Sequence, residues 1–213
     1  MLPRMPASRH DTDTARLILV GPMQKSILRP ARLKSLTLQK APQVAVDGGG
    51  AFAVDPVLWV GDGDSGIVPK SVPVCFKSDQ GMTDFRFCLE TVRIWNWREL
   101  HIFGFLDGRK DHELANLGEL HAALKKRRVP SSAVFYDAKN RPVIRFFQAR
   151  QHKINLHGTF SVLVIEAAKI SLAGKCKYPA RNVALAPLSG RGVSNVASGD
   201  VRISATKPFF IIG

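Results

Sequence analysis

Seven of the seventeen acidic residues fall in four short stretches: Asp47 after Val46, Asp62 and Asp64 after Val60, Asp79 and Asp84 after Phe76, and Asp107 and Asp111 after Leu106. Each stretch follows a short apolar run of the kind that forms a buried strand. The chain carries thirty-one Lys and Arg and a formal charge of +14, so carboxylates gathered at strand ends need a physical reason. Converging carboxylates repel one another and shift toward the neutral form unless a cation holds them. A hard divalent ion with oxygen ligands, most simply Mg²⁺, is the natural one. Asp62 and Asp64 stand two apart in Gly61-Asp62-Gly63-Asp64-Ser65, where flexible glycines let both carboxylates aim at one point, and Asp84 at a helix start can supply a third. The competing use of such residues is turn and helix-cap bonding, which Asp favours. Agreement among four stretches weighs against it. Gly48-Gly49-Gly50 lets backbone amides approach a phosphate, and Arg109 offers a guanidinium fork for phosphate oxygens unless it pairs with Asp111.

The elements that must position these residues follow from periodicity. Leu17–Val20, Val44–Val46, Leu58–Val60, Val74–Phe76, Ile102–Leu106 and Ala133–Tyr136 read as buried strands. Between them Phe85, Cys88, Leu89 and Val92 keep helical spacing, as do Leu114, Leu117, Leu120 and Leu124. Strand, loop and helix in repetition predict a parallel sheet with covering helices. In such a sheet ligands bind beyond the carboxyl ends of the strands, where the acidic stretches lie. After Asn140 the helical period disappears, and Val143–Phe147, Lys153–Leu156, Thr159–Ile165 and Val201–Ser204 alternate with Gly and Pro turns. The expected architecture is therefore α/β: a parallel-sheet nucleotide-binding domain over residues 1–140, then a small all-β sandwich over 141–213.

Composition removes several classes of function. No apolar run approaches the length of a membrane helix, and the first sixteen residues lack the apolar centre of a secretory signal. Cys75, Cys88 and Cys176 are too few and too scattered for a disulfide framework or a zinc site, so a reducing cytoplasm is expected. The basic excess favours anionic partners, but the one basic run, Lys125–Arg128, falls where it complements a helix C-terminus. Nucleic acid and membrane are not expected as partners.

Taken in order, four motifs resemble those of the thiamine pyrophosphokinase family. They are Asp47-Gly48-Gly49, Gly61-Asp62-Gly63-Asp64-Ser65, Asp79-Gln80-Gly81-Met82-Thr83-Asp84-Phe85, and Gly108-Arg109-Lys110-Asp111-His112 with Asn116 downstream. Gly174-Lys175-Cys176-Lys177-Tyr178 and Gly192-Val193-Ser194-Asn195 continue the likeness into the second half. The resemblance implies Mg²⁺-dependent transfer of pyrophosphate from ATP to the hydroxyethyl oxygen of thiamine, giving thiamine diphosphate and AMP. It implies Asp62, Asp64 and Asp84 as metal ligands, with Arg109 and Asp111 completing the catalytic set. ATP would be met by Asp47, Gly48, Gly49, Gln80, Thr83, Arg109 and Asn116, and thiamine by Ser194, Asn195, Phe160 and Tyr178. A homodimer is implied, with the active site at the subunit interface; Thr159–Ile165, apolar on both faces, offers itself as the joining strand. Two alternatives remain open: a pyrophosphokinase of the same build for another hydroxymethyl heterocycle such as a pterin, and a nucleotide-binding regulator without turnover.

Overall fold

The computed structural model describes residues 15–65, 68–129 and 131–213. Six strands of the first half, β1 (Arg16–Val20), β2 (Gln43–Val46), β3 (Leu58–Gly61), β4 (Val74–Phe76), β5 (Glu99–Phe103) and β6 (Ser132–Tyr136), lie in the order β6-β5-β1-β2-β3-β4. Every pairing among them is parallel. β1, β2 and β3 are buried on both faces, which is why their runs are continuously apolar, whereas edge strand β4 leaves Val74 and Phe76 exposed. Leu17 and Leu19 of β1 enter one core with Phe85, Cys88 and Leu89 of helix α2 (Asp84–Thr91) and Leu120 and Leu124 of helix α3 (Lys110–Lys126). Ile18 and Val20 point the other way, onto Leu33 of the short helix α1 (Pro30–Ser35) and its neighbours Leu28 and Leu38.

Two elements depart from their expected form. β5 ends at Phe103, so 104–106 belong to the loop beside the acidic stretch rather than to the strand. Leu114, expected on the buried face of α3, is exposed, and Asn116 and His121 are buried in its place. The core-facing stripe of α3 is thus rotated from the leucine spacing, because its first turns border an open cleft.

The second half is antiparallel. It contains β7 (Pro142–Phe147), β8 (Gln151–Val164), β9 (Ala168–Cys176), β10 (Ala180–Leu185), β11 (Asn195–Ala205) and β12 (Phe209–Ile212). The two strands expected at 153–156 and 159–165 are one strand, β8, with Gly158 inside it at φ +85, a left-handed conformation that glycine adopts without steric cost. Residues 151–160 of β8 pair with β11, and 161–164 pair with β12. Near residue 140 the sheet does not stop. β7 pairs with β6, and Phe146 and Phe210 pack into the core of the parallel half. One mixed sheet of twelve strands therefore crosses the turn at Asn140.

β8 also corrects the reason for expecting a partner there. Phe160, Val162 and Val164 fill the core of the antiparallel half, while Leu163 and Ile165 pack against the core of the parallel half. Between 160 and 165 both faces are at least partly covered within one chain.

Candidate active site

The carboxyl ends of β2, β3 and β4 open onto a cleft of about 470 Å³ whose walls include Asp47, Asp62, Asp64, Lys77, Asp84, Arg109 and Asn116. Asp47 follows β2 directly and holds a left-handed backbone, φ +46, a conformation uncommon outside glycine and concentrated at functional sites. Two contacts fix it: the Trp59 indole N–H donates to its carbonyl at 3.0 Å, and the Ser65 hydroxyl donates to its carboxylate at 2.8 Å. Asp62 and Asp64 follow β3. Ligand oxygens of Asp47, Asp62 and Asp64 all lie within 4.8 Å of one another.

Asp84, the third metal ligand implied by the resemblance, is not in that group. It begins α2 after the cap Thr83, and its carboxylate is 3.2 Å from the Lys77 ammonium, which also reaches Asp62 at 3.1 Å. Lys77 is the residue the sequence reading missed. It sits one position past a three-residue edge strand, and nothing in its spacing marks it.

The electrostatics follow the contacts. The Asp64 backbone N–H and then the Lys77 ammonium hold the Asp62 carboxyl below the usual carboxylate range. Asp64 is pushed up by the charges of Asp62 and Asp47. Burial pushes Asp84 up against the pull of Lys77. Burial also works to lower Lys77, but bonds from Asp62 and Asp84 outweigh it and raise the ammonium above its ordinary value. Asp62 and Asp64 repel one another, and an all-oxygen acidic set is of the kind a hard divalent ion takes.

The remaining expected residues divide. Gln80 and Asn116 line the cleft, with the Asn116 amide donating to the Phe105 carbonyl at 3.1 Å. Thr83 lines it too, but its hydroxyl accepts from the Arg86 N–H and donates to Glu119 at 2.7 Å, so it is a helix cap. Arg109 stands at the mouth, 72% exposed, and grips Asp111 through two hydrogen bonds; this pairing holds the Asp111 carboxyl down at about 2. Gly48 and Gly49 do not line the cleft. A Cβ on Gly49 would lie 1.8 Å from the Val20 carbonyl, so this glycine is required by packing against the end of β1.

In the antiparallel half, a separate cavity of about 270 Å³ is lined by Tyr178, Arg191, Val193 and Asn195 among others. Tyr178 is exposed, with the Lys177 ammonium 5.2 Å from its ring centre. Asn195 is buried, and its side chain accepts from the Tyr178 N–H and donates to the Tyr178 carbonyl. It clamps the tyrosine backbone, with one amide N–H committed there, at the wall of the cavity. Ser194 is exposed at φ +62. Phe160, 2% exposed, lies in the core of the antiparallel half.

A mixed α/β chain with an acidic cleft at the carboxyl edge of its parallel sheet is the class that fold and site together define. No protein-family model matches the sequence, and no curated protein matches it. Solved structures do. Thiamine pyrophosphokinase from Bacillus subtilis superposes with a TM-score of 0.72 at 22% identity, over 93% of this chain and 98% of that one. The Candida albicans enzyme superposes with a TM-score of 0.69 at 14% identity, over 93% and 89%. The yeast enzyme gives 0.67 at 16%, over 94% and 86%. The chain has the fold of the thiamine pyrophosphokinases across nearly its whole length. No helix among the described residues is long and apolar enough to cross a membrane.

Proposed function

We propose that this protein transfers the pyrophosphoryl group of ATP to the hydroxyethyl oxygen of thiamine, with Mg²⁺ as cofactor. The observation that carries the reading is the convergence of Asp47, Asp62 and Asp64 within 4.8 Å, at the strand ends of a thiamine pyrophosphokinase fold. These carboxylates would hold the ion, which neutralises phosphate charge when bound. In this proposal Asp47 takes the place expected of Asp84, whose carboxylate is engaged by Lys77. Gln80 and Asn116 orient the nucleotide from the cleft wall. Asp111 holds the Arg109 fork at the mouth until phosphate oxygens replace it as the partner of the guanidinium. The acceptor oxygen forms a bond to the β-phosphorus of ATP, the bridge to the α-phosphate breaks, and AMP leaves while the hydroxyl proton is lost.

The acceptor would lie against Tyr178 and Ser194. The acidic cleft and the cavity beside Tyr178 share no lining residue, so the reading uses two copies of the chain, each completing the other's site. Incubation with Mg-ATP and thiamine should release one AMP per thiamine consumed. No AMP with any acceptor, or AMP only with a hydroxymethylpterin, would refute the assignment. Mixing an Asp62→Asn chain with a Ser194→Trp chain should restore activity that neither has alone; no restoration would place both half-sites in one chain.

A further inference from the structure

Lys77 is the only buried lysine among the described residues, with its side chain 6% exposed. Burying an ammonium is costly unless it is paired and hydrogen-bonded. Three oxygens satisfy this one: Asp62 at 3.1 Å, Asp84 at 3.2 Å and the Met82 carbonyl at 3.0 Å. Two carboxylates and a carbonyl are also the donors a hard divalent ion takes. The acidic wall therefore has two adjacent cation positions sharing Asp62, one facing Asp47 and Asp64, the other filled by the lysine.

We propose that Lys77 is a built-in counter-cation which occupies the second of these positions and limits the cleft to one divalent ion. The inference rests on the reading of Asp47, Asp62 and Asp64 as the metal site. The charges support it. With Asp47, Asp62, Asp64 and Asp84 ionised, Lys77 and one divalent ion leave a single negative charge, whereas two divalent ions beside Lys77 would overcharge the wall before any phosphate arrived. Without the lysine, two ions balance it. Lys77 is thus a positioning residue, holding Asp84 away from the ion and Asp62 turned so that it bridges both positions.

Mn²⁺ titration of the substrate-free protein, read by the loss of the free-ion electron paramagnetic resonance signal, tests this without any turnover. Wild type should bind one Mn²⁺ per chain. Lys77→Met keeps the stem and removes the charge, and should bind two. An unchanged count in that variant overturns the role of Lys77 and leaves the metal reading standing. A wild type that binds no Mn²⁺ overturns the metal reading and this proposal with it. Should Lys77→Met not fold, Asp84→Asn in the wild-type background decides. The proposal requires its Mn²⁺ affinity to stay within about threefold of wild type, while Asp64→Asn loses about tenfold or more. Equal losses in the two would make Asp84 a ligand and end the proposal.

Discussion

The parallel and antiparallel halves treat their marked residues in opposite ways. At the strand ends of the parallel half, Asp47, Asp62, Asp64 and Asp84 all line one cleft. In the antiparallel half, Phe160 has gone into the core and Asn195 has been spent on the Tyr178 backbone. The difference lies in what else each residue type can do. A phenylalanine always has a use in packing, and an asparagine always has one in clamping backbone. Carboxylates gathered within a few ångströms repel one another, and here the Ser65 hydroxyl, the Asp64 N–H and the Lys77 ammonium hold them in place. The charge distribution sharpens the contrast. Residues 141–213 hold eleven Lys and Arg and only two acidic residues, which is +9 of the total +14, yet the acidic cleft is in the other half.

The comparison breaks most easily at Phe160. Phe160→Ala should cost about 3–5 kcal/mol of stability, as for other buried aromatic truncations. Chemical denaturation would register it, and thiamine affinity of the still-folded fraction should be unchanged. A thiamine-binding defect without loss of stability would return Phe160 to the acceptor site. The converse holds for Asp62→Asn, which should lower AMP formation at least about 100-fold, roughly 2.7 kcal/mol in the barrier. Its melting temperature should fall modestly, since the Asp64 N–H and the buried Lys77 both favour the ionised Asp62 carboxylate. Near-normal turnover in Mg²⁺ would remove Asp62 from the site.

Arg109 sits between these extremes, an exposed side chain paired with Asp111 at the mouth of the cleft. Arg109→Lys should cost about tenfold in kcat/KM, near 1.4 kcal/mol, because an ammonium cannot reproduce a bidentate fork. Equal activity would show that only the charge matters. The smallest effect is expected where the halves are tied together. Glu166, in the β8–β9 turn, meets Lys125 of α3 at 2.6 Å, Lys207 at 2.8 Å and His121 at 3.8 Å. Hydrogen bonds from Lys125 and then Lys207 hold its carboxyl at about 2, below the ordinary 4.5. Because the folded value is the depressed one, the stabilisation is present above pH 4.5 and is lost as pH falls toward 2. Glu166→Gln should therefore melt slightly below wild type at pH 7, by a margin that salt reduces and that closes by pH 2. A margin independent of pH would mean the side chain acts by packing alone.

Much of the parallel half was legible before any coordinates. Continuous apolar runs such as Leu17–Val20 occur where a strand is covered on both faces, and the acidic stretches then fall at the carboxyl edge because parallel strands all end on the same side. The antiparallel half was harder to read. Alternation at 153–156 and 159–165 is broken by Gly158, and only cross-strand pairing to β11 and β12 carries one strand through it. β9, β10 and β12 gave no clear period, since each draws its burial from neighbours distant in sequence.

Composition and order of residues alone determined that carboxylates would gather at one sheet edge, because parallel strands all end on the same side. Which carboxylates meet was decided only by the folded chain. Asp47 joins Asp62 and Asp64 because a left-handed turn, a tryptophan N–H and a serine hydroxyl aim it there, and Asp84 is drawn aside by a buried lysine. Distances of 3–5 Å between residues fifteen or more positions apart, such as Asp47 to Asp62 and Asp62 to Lys77, are set by packing, and no local spacing encodes them.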